Sequence, residues 1–249
     1  MARLLMILTS NDKMGDDGAP TGFYWEEMAV PYWAFREAGY AVDLASPKGG
    51  RPPADPASDD DTMARPRAVK RFMEGEKAMK ALENTLRLPD VDASRYDGVF
   101  LPGGHGTMWD FHQTPQVATT VSKIHEQGGV VGAVCHGPAG LLGTKRSDGT
   151  PLLKGRKVNG FTNSEETAAG LSNVVPFLLE DELKGEGAIF ERSTEDFSGF
   201  AIRDARIVTG QNPDSSAAVA EHMLAALADL EKAFPDLEPD GAPQPAYHP

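Results

Sequence analysis

The chain of 249 residues contains one cysteine, Cys135, and no apolar run of the ~20 residues that a membrane span needs. A single cysteine excludes an intramolecular disulfide framework and a cysteine-rich zinc site. The apolar run near the N-terminus, residues 4–8, is shorter than the core of a signal peptide, and no cleavage motif follows it. We therefore expect a cytoplasmic protein whose thiol stays free in a reducing compartment.

Basic residues are also scarce. The chain has 24 Lys and Arg against 37 Asp and Glu, which gives a formal net charge of −13. Nucleic-acid phosphates and anionic membrane surfaces repel such a chain, so neither is an expected partner. Hydrophobic residues make up 40% and charged residues 24%, the balance of a soluble globular protein.

Apolar runs typical of buried strands alternate with segments of helical periodicity. This alternation predicts an α/β fold: a doubly wound, mostly parallel sheet with helices on both faces, in a flavodoxin-like sandwich. The predicted strands cover residues 4–8, 40–45, 96–101, 130–134, 156–161, 188–191 and 205–209. The predicted helices cover residues 25–38, 69–86 (one helix or two), 115–127, 174–183 with residues 180–182 exposed, and 216–234.

Proline marks two further segments. Residues 46–67 contain five prolines and an acidic run, and we interpret them as an excursion over the surface. The stretch 236–249 is a proline-rich tail, which we expect to be peripheral or disordered. The domain prediction is thus one α/β domain over residues 1–235, followed by this tail.

A nucleophile elbow is predicted at Cys135. Small residues, Ala133 and Gly137, flank the cysteine between a predicted strand and a predicted helix, which allows a sharp turn that projects the thiol. A helix N-terminus there favours the thiolate, so we expect a depressed thiol pKa. His136 is the candidate general base. The alternatives are a buried structural cysteine and a histidine that only stabilises the turn.

A glycine-rich turn follows the predicted strand 96–101 and should lie at the same sheet edge as Cys135. Its backbone N–H groups, with that of His136, are candidates for an oxyanion hole, and His105 is expected to line the same pocket. The alternative is a tight turn that binds nothing. The residues of this turn are Gly103, Gly104, His105 and Gly106.

These motifs resemble the ThiJ/PfpI superfamily, also called class I glutamine amidotransferase-like, and within it the branch of heat-shock chaperones and glyoxalase III enzymes. The resemblance covers almost the whole chain except the tail, and its most specific piece is Cys-His-Gly-Pro. The matching segments are residues 21–27, 38–43, 46–50, 103–107, 133–138, 160–162 and 208–213.

The resemblance implies two acidic site residues. A glutamate at the start of the first long helix would hydrogen-bond the sulfur; this is Glu27, with Glu26 as the competitor. A second acid, Glu166 with Glu165 as the competitor, would orient His136 and fix its tautomer. Without the resemblance, all four glutamates are ordinary acids of a first helical turn.

The residue before Pro31 departs from the pattern of the family that the chain resembles. Relatives often carry a polar His or Glu at that position, whereas this chain has Val30. The difference is expected to alter the wall of the pocket.

The activity implied is glutathione-independent conversion of methylglyoxal or glyoxal to D-lactate or glycolate, without metal or organic cofactor, by a homodimer. Cys135, His136, Glu27 and Glu166 would be catalytic. Three alternatives stay open: a chaperone or cysteine redox sensor, a deglycase or peptidase of the same superfamily, and a glutamine amidotransferase. The last normally has a His-x-Glu element after the cysteine, which this sequence lacks.

Overall fold

The computed structural model describes residues 2–15, 18–59 and 65–233. The strands are β1 (Arg3–Ile7), β2 (Ala41–Ser46), β3 (Leu86–Arg87), β4 (Gly98–Leu101), β5 (Val130–Val134), β6 (Lys157–Val158), β7 (Ile189–Phe190), β8 (Ala201–Asp204) and β9 (Ile207–Gly210). The helices are α1 (Trp25–Glu37), α2 (Arg67–Glu74), α3 (Glu76–Glu83), α4 (Thr107–Asp110), α5 (Pro115–Glu126), α6 (Asn163–Ala168), α7 (Leu179–Gly185) and α8 (Ser216–Ala233). Within these ranges no helix is long and apolar enough to cross a bilayer.

Seven strands form the central sheet in the order β3-β2-β1-β4-β5-β9-β8. All neighbouring pairs are parallel except β8 with β9. The predicted α/β class and mostly parallel sheet are confirmed. Because parallel strands end at the same edge, the residues that follow β4 and β5 lie together, as predicted, and those that follow β1 lie beside them.

Two layers of helices cover the sheet. Alternate side chains of the first strand enter opposite cores, as the period of two requires. Leu4 and Met6 join the core that contains buried residues of α1, α2, α3 and α8, whereas Leu5 and Ile7 join the core beside α5 and α7. The spacing of Met28, Tyr32, Phe35 and Ala38 predicts one face of α1. The first three are buried, whereas Ala38 is exposed at the C-cap of the helix.

The second half of the chain departs from prediction in three places. Segments 156–161 and 188–191 contribute β6 and β7, which form a separate two-stranded parallel sheet. Strand β8 was not predicted; it pairs antiparallel with β9 across a turn in which Ala205 adopts φ 54°. The helix predicted over residues 174–183 begins only at Leu179.

Glu180 was predicted to be exposed, and this is wrong. Its carboxylate is buried because it accepts the backbone N–H of Asn163 at 2.9 Å and pairs with Lys184. It therefore links α7 to the first turn of α6. Periodicity gives no sign of such a contact between two short helices.

The proline-rich excursion is partly packed rather than free on the surface. Asp55 is buried and accepts the Thr21 hydroxyl at 2.7 Å, and Phe23 and Ala54 form a β-bridge. The segment therefore supports the chain that leads into α1. Residues 60–64 of the excursion and the tail 236–249 lie outside the described residues, and the single-domain boundary at residue 235 stays a prediction.

Candidate active site

The backbone at Cys135 has the geometry of a nucleophile elbow. Cys135 follows β5 directly and has φ 58°, in the left-handed region that costs a non-glycine residue free energy. Two backbone hydrogen bonds hold it there. Its N–H donates to Gly210 at 2.9 Å, and its carbonyl accepts from Phe161 at 2.8 Å.

The elbow needs Gly137 for steric reasons. A Cβ at this position would lie 2.0 Å from the Leu101 carbonyl oxygen at the end of β4. The turn after Cys135 is a short 3-10 helix, Gly137–Leu141, instead of the predicted α-helix start. Close approach to the neighbouring strand therefore fixes where the thiol sits.

We expect Gly137→Ala to lower the free energy of unfolding by about 3 kcal/mol or more, since the clash is with backbone that cannot move cheaply. Gly185→Ala is the matched control. Its Cβ would meet no atom within 4 Å, and Gly185 ends α7. It should be neutral or stabilising by up to about 1 kcal/mol. Chemical denaturation measures both, and equal effects would contradict this account of the elbow.

His136 connects the thiol to an acid. Its Nδ1 lies 3.3 Å from Cys135 Sγ, and its Nε2 lies 2.8 Å from Glu166 Oε2. The second oxygen of Glu166, Oε1, lies 2.9 Å from His105 Nε2. One buried carboxylate thus holds two imidazoles, whose centroids lie 4.0 Å apart with the ring planes inclined at 41°.

Glu165 and Glu166, which the sequence left as competitors, have different partners. Glu166 contacts the two histidines, whereas Glu165 forms the capping box of α6 with Thr162. The assignment of Glu166 as the acid that orients His136 agrees with these contacts.

Two contacts to His136 went unpredicted. The Phe161 ring lies 4.5 Å from its imidazole at 36°, and the Thr107 hydroxyl donates to its carbonyl at 3.0 Å. The motif Gly160-Phe161-Thr162 was noted in the sequence only as a family match. Its position at the end of the predicted strand 156–161 was the available signal.

Glu27 approaches the thiol from the first turn of α1. The carboxyl is fully buried and interacts with Cys135, and its Oε2 accepts the Gly103 N–H at 2.7 Å. Its Oε1 has no hydrogen-bond partner in the described part of the chain. The competitor Glu26 is only partly buried.

Burial governs the protonation of Glu27. Loss of hydration raises the pKa of this carboxyl to about 8, although the adjacent Cys135 thiol and the Gly103 N–H oppose the shift. Glu27 is therefore protonated at neutral pH, and a protonated Oε1 can donate toward the sulfur or a bound ligand.

The predicted depression of the thiol pKa is wrong. Burial raises the pKa of Cys135 well above its ordinary value, and the adjacent Glu27 adds to the shift. The helix dipole invoked in the prediction is small because only a five-residue 3-10 helix follows. Cys135 thus rests as a thiol and needs a base.

His136 is suited to be that base. Burial and the neighbouring His105 lower its pKa to about 4, although Glu166 opposes the shift. Burial by itself would raise the pKa of Glu166, but hydrogen bonds from His105 and His136 outweigh it and hold the value at about 2. A neutral imidazole that donates from Nε2 to an ionised Glu166 presents a free lone pair at Nδ1 to the thiol.

Two backbone N–H groups of the glycine-rich turn already donate to protein oxygens. Gly103 donates to Glu27, and Gly106 donates to the Gly22 carbonyl at 3.3 Å, so neither N–H is free for an oxyanion. The predicted contribution of these two residues to an oxyanion hole is corrected accordingly. Within the described ranges, the N–H groups of Gly104 and His136 are not bonded to a protein oxygen. Gly103 itself must lack a side chain, because a Cβ would lie 2.7 Å from His136 N.

We expect Glu27→Gln to flatten the pH dependence of stability. Between pH 4.5 and about 8 the folded protein holds a proton that the unfolded chain releases. The wild-type free energy of unfolding therefore falls as pH rises through this window, by up to about 1.4 kcal/mol per pH unit. Glutamine has no such proton. Urea denaturation across this range measures the difference.

Glu76→Gln is the matched control, because Glu76 is an exposed acid in the first turn of α3. It should leave the wild-type slope unchanged. A Glu27→Gln variant with the wild-type slope would contradict the buried, protonated state of Glu27.

Metal binding is chemically possible at the two histidines. The ligand atoms of His105, His136 and Glu166 lie within 4.8 Å of one another. Both nitrogen–oxygen pairs are at hydrogen-bond distance, as in an acid–histidine network. The expectation of a metal-independent site stays a prediction.

The model of the DJ-1/PfpI family matches residues 20–226 of this chain. The chain belongs to the DJ-1/PfpI family. Glyoxalase 3 of Candida albicans is 32% identical over 242 residues, covering 91% of this chain and 98% of its own length. The glutathione-independent glyoxalase HSP31 of Saccharomyces cerevisiae is 32% identical over 241 residues, covering 90% and 98%.

The crystal structure of glyoxalase III from Candida albicans matches with a TM-score of 0.83 and 32% identity, over 90% of this chain and 97% of that one. The resemblance inferred from the motifs is thereby confirmed, and the flavodoxin-like α/β fold of the DJ-1/PfpI family with it. Val30, the departure from that pattern, is partly buried on α1 three residues after Glu27. Its effect on the pocket stays a prediction.

Proposed function

We propose that the chain is a glutathione-independent glyoxalase that converts methylglyoxal to D-lactate and glyoxal to glycolate. The observation that carries the proposal is the Cys135 thiol, 3.3 Å from a neutral imidazole whose other nitrogen is held by Glu166. Two relatives of about one-third identity over nearly their whole length bear the name glyoxalase. Because Cys135 supplies the thiol, no glutathione is required.

The first step is addition of the thiol to the aldehyde. His136 Nδ1 takes the thiol proton while the sulfur bonds to the aldehyde carbon. The aldehyde oxygen receives that proton and becomes the hydroxyl of a hemithioacetal. The N–H of Gly104, which donates to no oxygen of the described residues, and the N–H of His136, which approaches the Cys135 sulfur, are the candidates to stabilise the developing negative charge on this oxygen.

The second step moves a proton between the two substrate carbons. His136 removes the proton from the former aldehyde carbon, and protonated Glu27 donates to the adjacent ketone oxygen, which gives an enediol-like state. His136 then returns its proton to the second carbon, and Glu27 takes the proton of the hydroxyl on the first carbon, which gives a 2-hydroxy thioester on Cys135. Water then cleaves the C–S bond, releases the 2-hydroxy acid and restores the thiol.

Burial of the site selects for small substrates. Cys135 is 4% exposed and His136 1%, whereas His105 is 16% exposed and is the most accessible member of the site. A two- or three-carbon dicarbonyl is therefore the expected substrate class. The same burial disfavours the redox-sensor alternative, because rapid oxidation needs an accessible thiolate.

We expect a bell-shaped dependence of kcat/KM on pH. The rate should rise through about pH 4 as His136 loses its proton, and fall above about pH 8 as Glu27 ionises. D-lactate formation from methylglyoxal measures the profile. A rate that keeps rising through pH 9 would show that a pre-formed thiolate limits the reaction, which contradicts the roles given to His136 and Glu27.

The quaternary state and location implied by the resemblance belong to the same proposal. We expect a homodimer in the cytoplasm. Sedimentation equilibrium tests the first expectation and fractionation of the source cells tests the second.

A further inference from the structure

The loop between β7 and β8 is fastened to the first turn of α6. The N–H of Phe197 donates to Glu165 Oε1 at 2.8 Å. The Ser164 hydroxyl donates to Asp196 at 2.6 Å and accepts from Arg192 at 2.8 Å. The loop therefore adjoins the residue that precedes the site acid Glu166.

Glu165 is the centre of this arrangement. Its side chain is fully buried, and its carboxylate accepts five hydrogen bonds. Oε2 accepts the backbone N–H and the hydroxyl of Thr162, and Oε1 accepts from Phe197 N, Gln211 Nε2 and Asn212 Nδ2, all at 2.8–2.9 Å. Gln211 and Asn212 directly follow β9, the strand beside the one that carries Cys135.

The fastened loop presents an unusual residue. Phe197 has φ 60°, and the residue is 47% exposed. Its ring lies 6.1 Å from the Phe161 ring, which in turn lies 4.5 Å from His136 and 6.0 Å from His105. A strained backbone and an exposed aromatic ring are both unfavourable for stability, which suggests a role at the mouth of the site.

We propose that Phe197 forms the outer wall of the substrate pocket and limits its size, and that Glu165 is the positioning residue that holds this wall. This inference rests on the proposed function and adds a substrate class to it. Phe197 discriminates against 2-oxoaldehydes with a bulky substituent, such as an aromatic ring, and leaves glyoxal and methylglyoxal unaffected. Residue 197 touches the substrate substituent and takes no part in proton transfer.

The first test compares phenylglyoxal with methylglyoxal. In Phe197→Ala, we expect kcat/KM for phenylglyoxal to rise by about tenfold relative to that for methylglyoxal, because a truncated wall removes a steric clash. Leu86→Ala is the control, since Leu86 is similarly exposed on the edge strand β3. A ratio that changes no more than in the control would overturn the proposal.

The second test does not depend on turnover. Cys135 is the single cysteine, so mass spectrometry reads its alkylation without interference. We expect Phe197→Ala to speed labelling by N-phenylmaleimide about tenfold relative to iodoacetamide. An unchanged ratio would overturn the wall, whatever the activity. An increased ratio in a protein that forms no D-lactate would support the wall and reject the glyoxalase proposal.

Glu165→Gln tests the positioning role. Glutamine retains the size of the side chain but replaces one acceptor oxygen with a donor, so it cannot satisfy Thr162 and Phe197 together. The labelling ratio should shift in the same direction as in Phe197→Ala, although residue 165 touches no reagent. A variant that loses methylglyoxal activity yet keeps the wild-type ratio would show that Glu165 only supports the fold.

Discussion

Replacing Cys135 with alanine should lower D-lactate formation from methylglyoxal by a factor on the order of 10⁴ or more. The thiol is the group that forms the bond to substrate, and the remaining residues cannot replace it. His136 and Glu27 transfer protons, and neither can form the covalent hemithioacetal and thioester that the mechanism places on sulfur. The rest of the site would retain only binding and weak acid–base assistance.

Cys135→Ser controls for the shape of the elbow, because serine keeps a side chain of similar size at φ 58°. Serine should be nearly as inactive as alanine, since its hydroxyl is a weaker nucleophile. Both variants should unfold at temperatures close to that of the wild type. A folded alanine variant that keeps more than about a tenth of the activity would contradict nucleophilic catalysis by Cys135.

Glu166→Gln should lower kcat by a factor of about 10² to 10⁴ with a smaller effect on KM. Glu166 accepts one hydrogen bond from each of two histidines, through separate oxygens. Glutamine offers one acceptor and one donor, so at least one imidazole must turn or change tautomer. If the change falls on His136, its Nδ1 carries the proton and can no longer accept one from the thiol.

His105→Ala separates the two functions of that carboxylate. It removes the second partner of Glu166 but leaves the bond to His136, so we expect a loss of about tenfold. Both variants are measured for kcat and KM with methylglyoxal. A Glu166→Gln enzyme with wild-type kcat would remove Glu166 from the mechanism, and a larger loss in His105→Ala would exchange the roles of the two histidines.

Much of the fold follows from local pattern. The strands that carry the site are short apolar runs followed by glycine or polar residues, and parallel pairing brings their ends together. Strand β8 and the burial of Glu180 could not be predicted, because both depend on contacts with other elements and not on a local pattern. The sequence Ala-Ile-Arg-Asp of β8 has little apolar character, and only pairing with β9 makes it a strand.

The identity of the site residues could be predicted from the sequence, but the direction of the pKa shift of the thiol could not. Cys135 and His136 follow from the elbow pattern, but Glu27 and Glu166 needed the family resemblance, because an acid in a first helical turn is ordinary. The choice of Glu166 over Glu165 depends on which face of α6 meets His136. The thiol pKa was predicted in the wrong direction because desolvation depends on burial, which local sequence does not specify.

The proposed function requires this chain to isomerise a dicarbonyl by itself through Cys135. The most direct test is to measure lactate formed from methylglyoxal by the purified wild-type protein without glutathione, with an enantiomer-specific assay. We expect D-lactate at a kcat on the order of 1 s⁻¹ or above, the low end for ordinary enzymes. Consumption of one methylglyoxal per thiol, with no D-lactate released, would contradict it and identify Cys135 as an adduct-forming thiol.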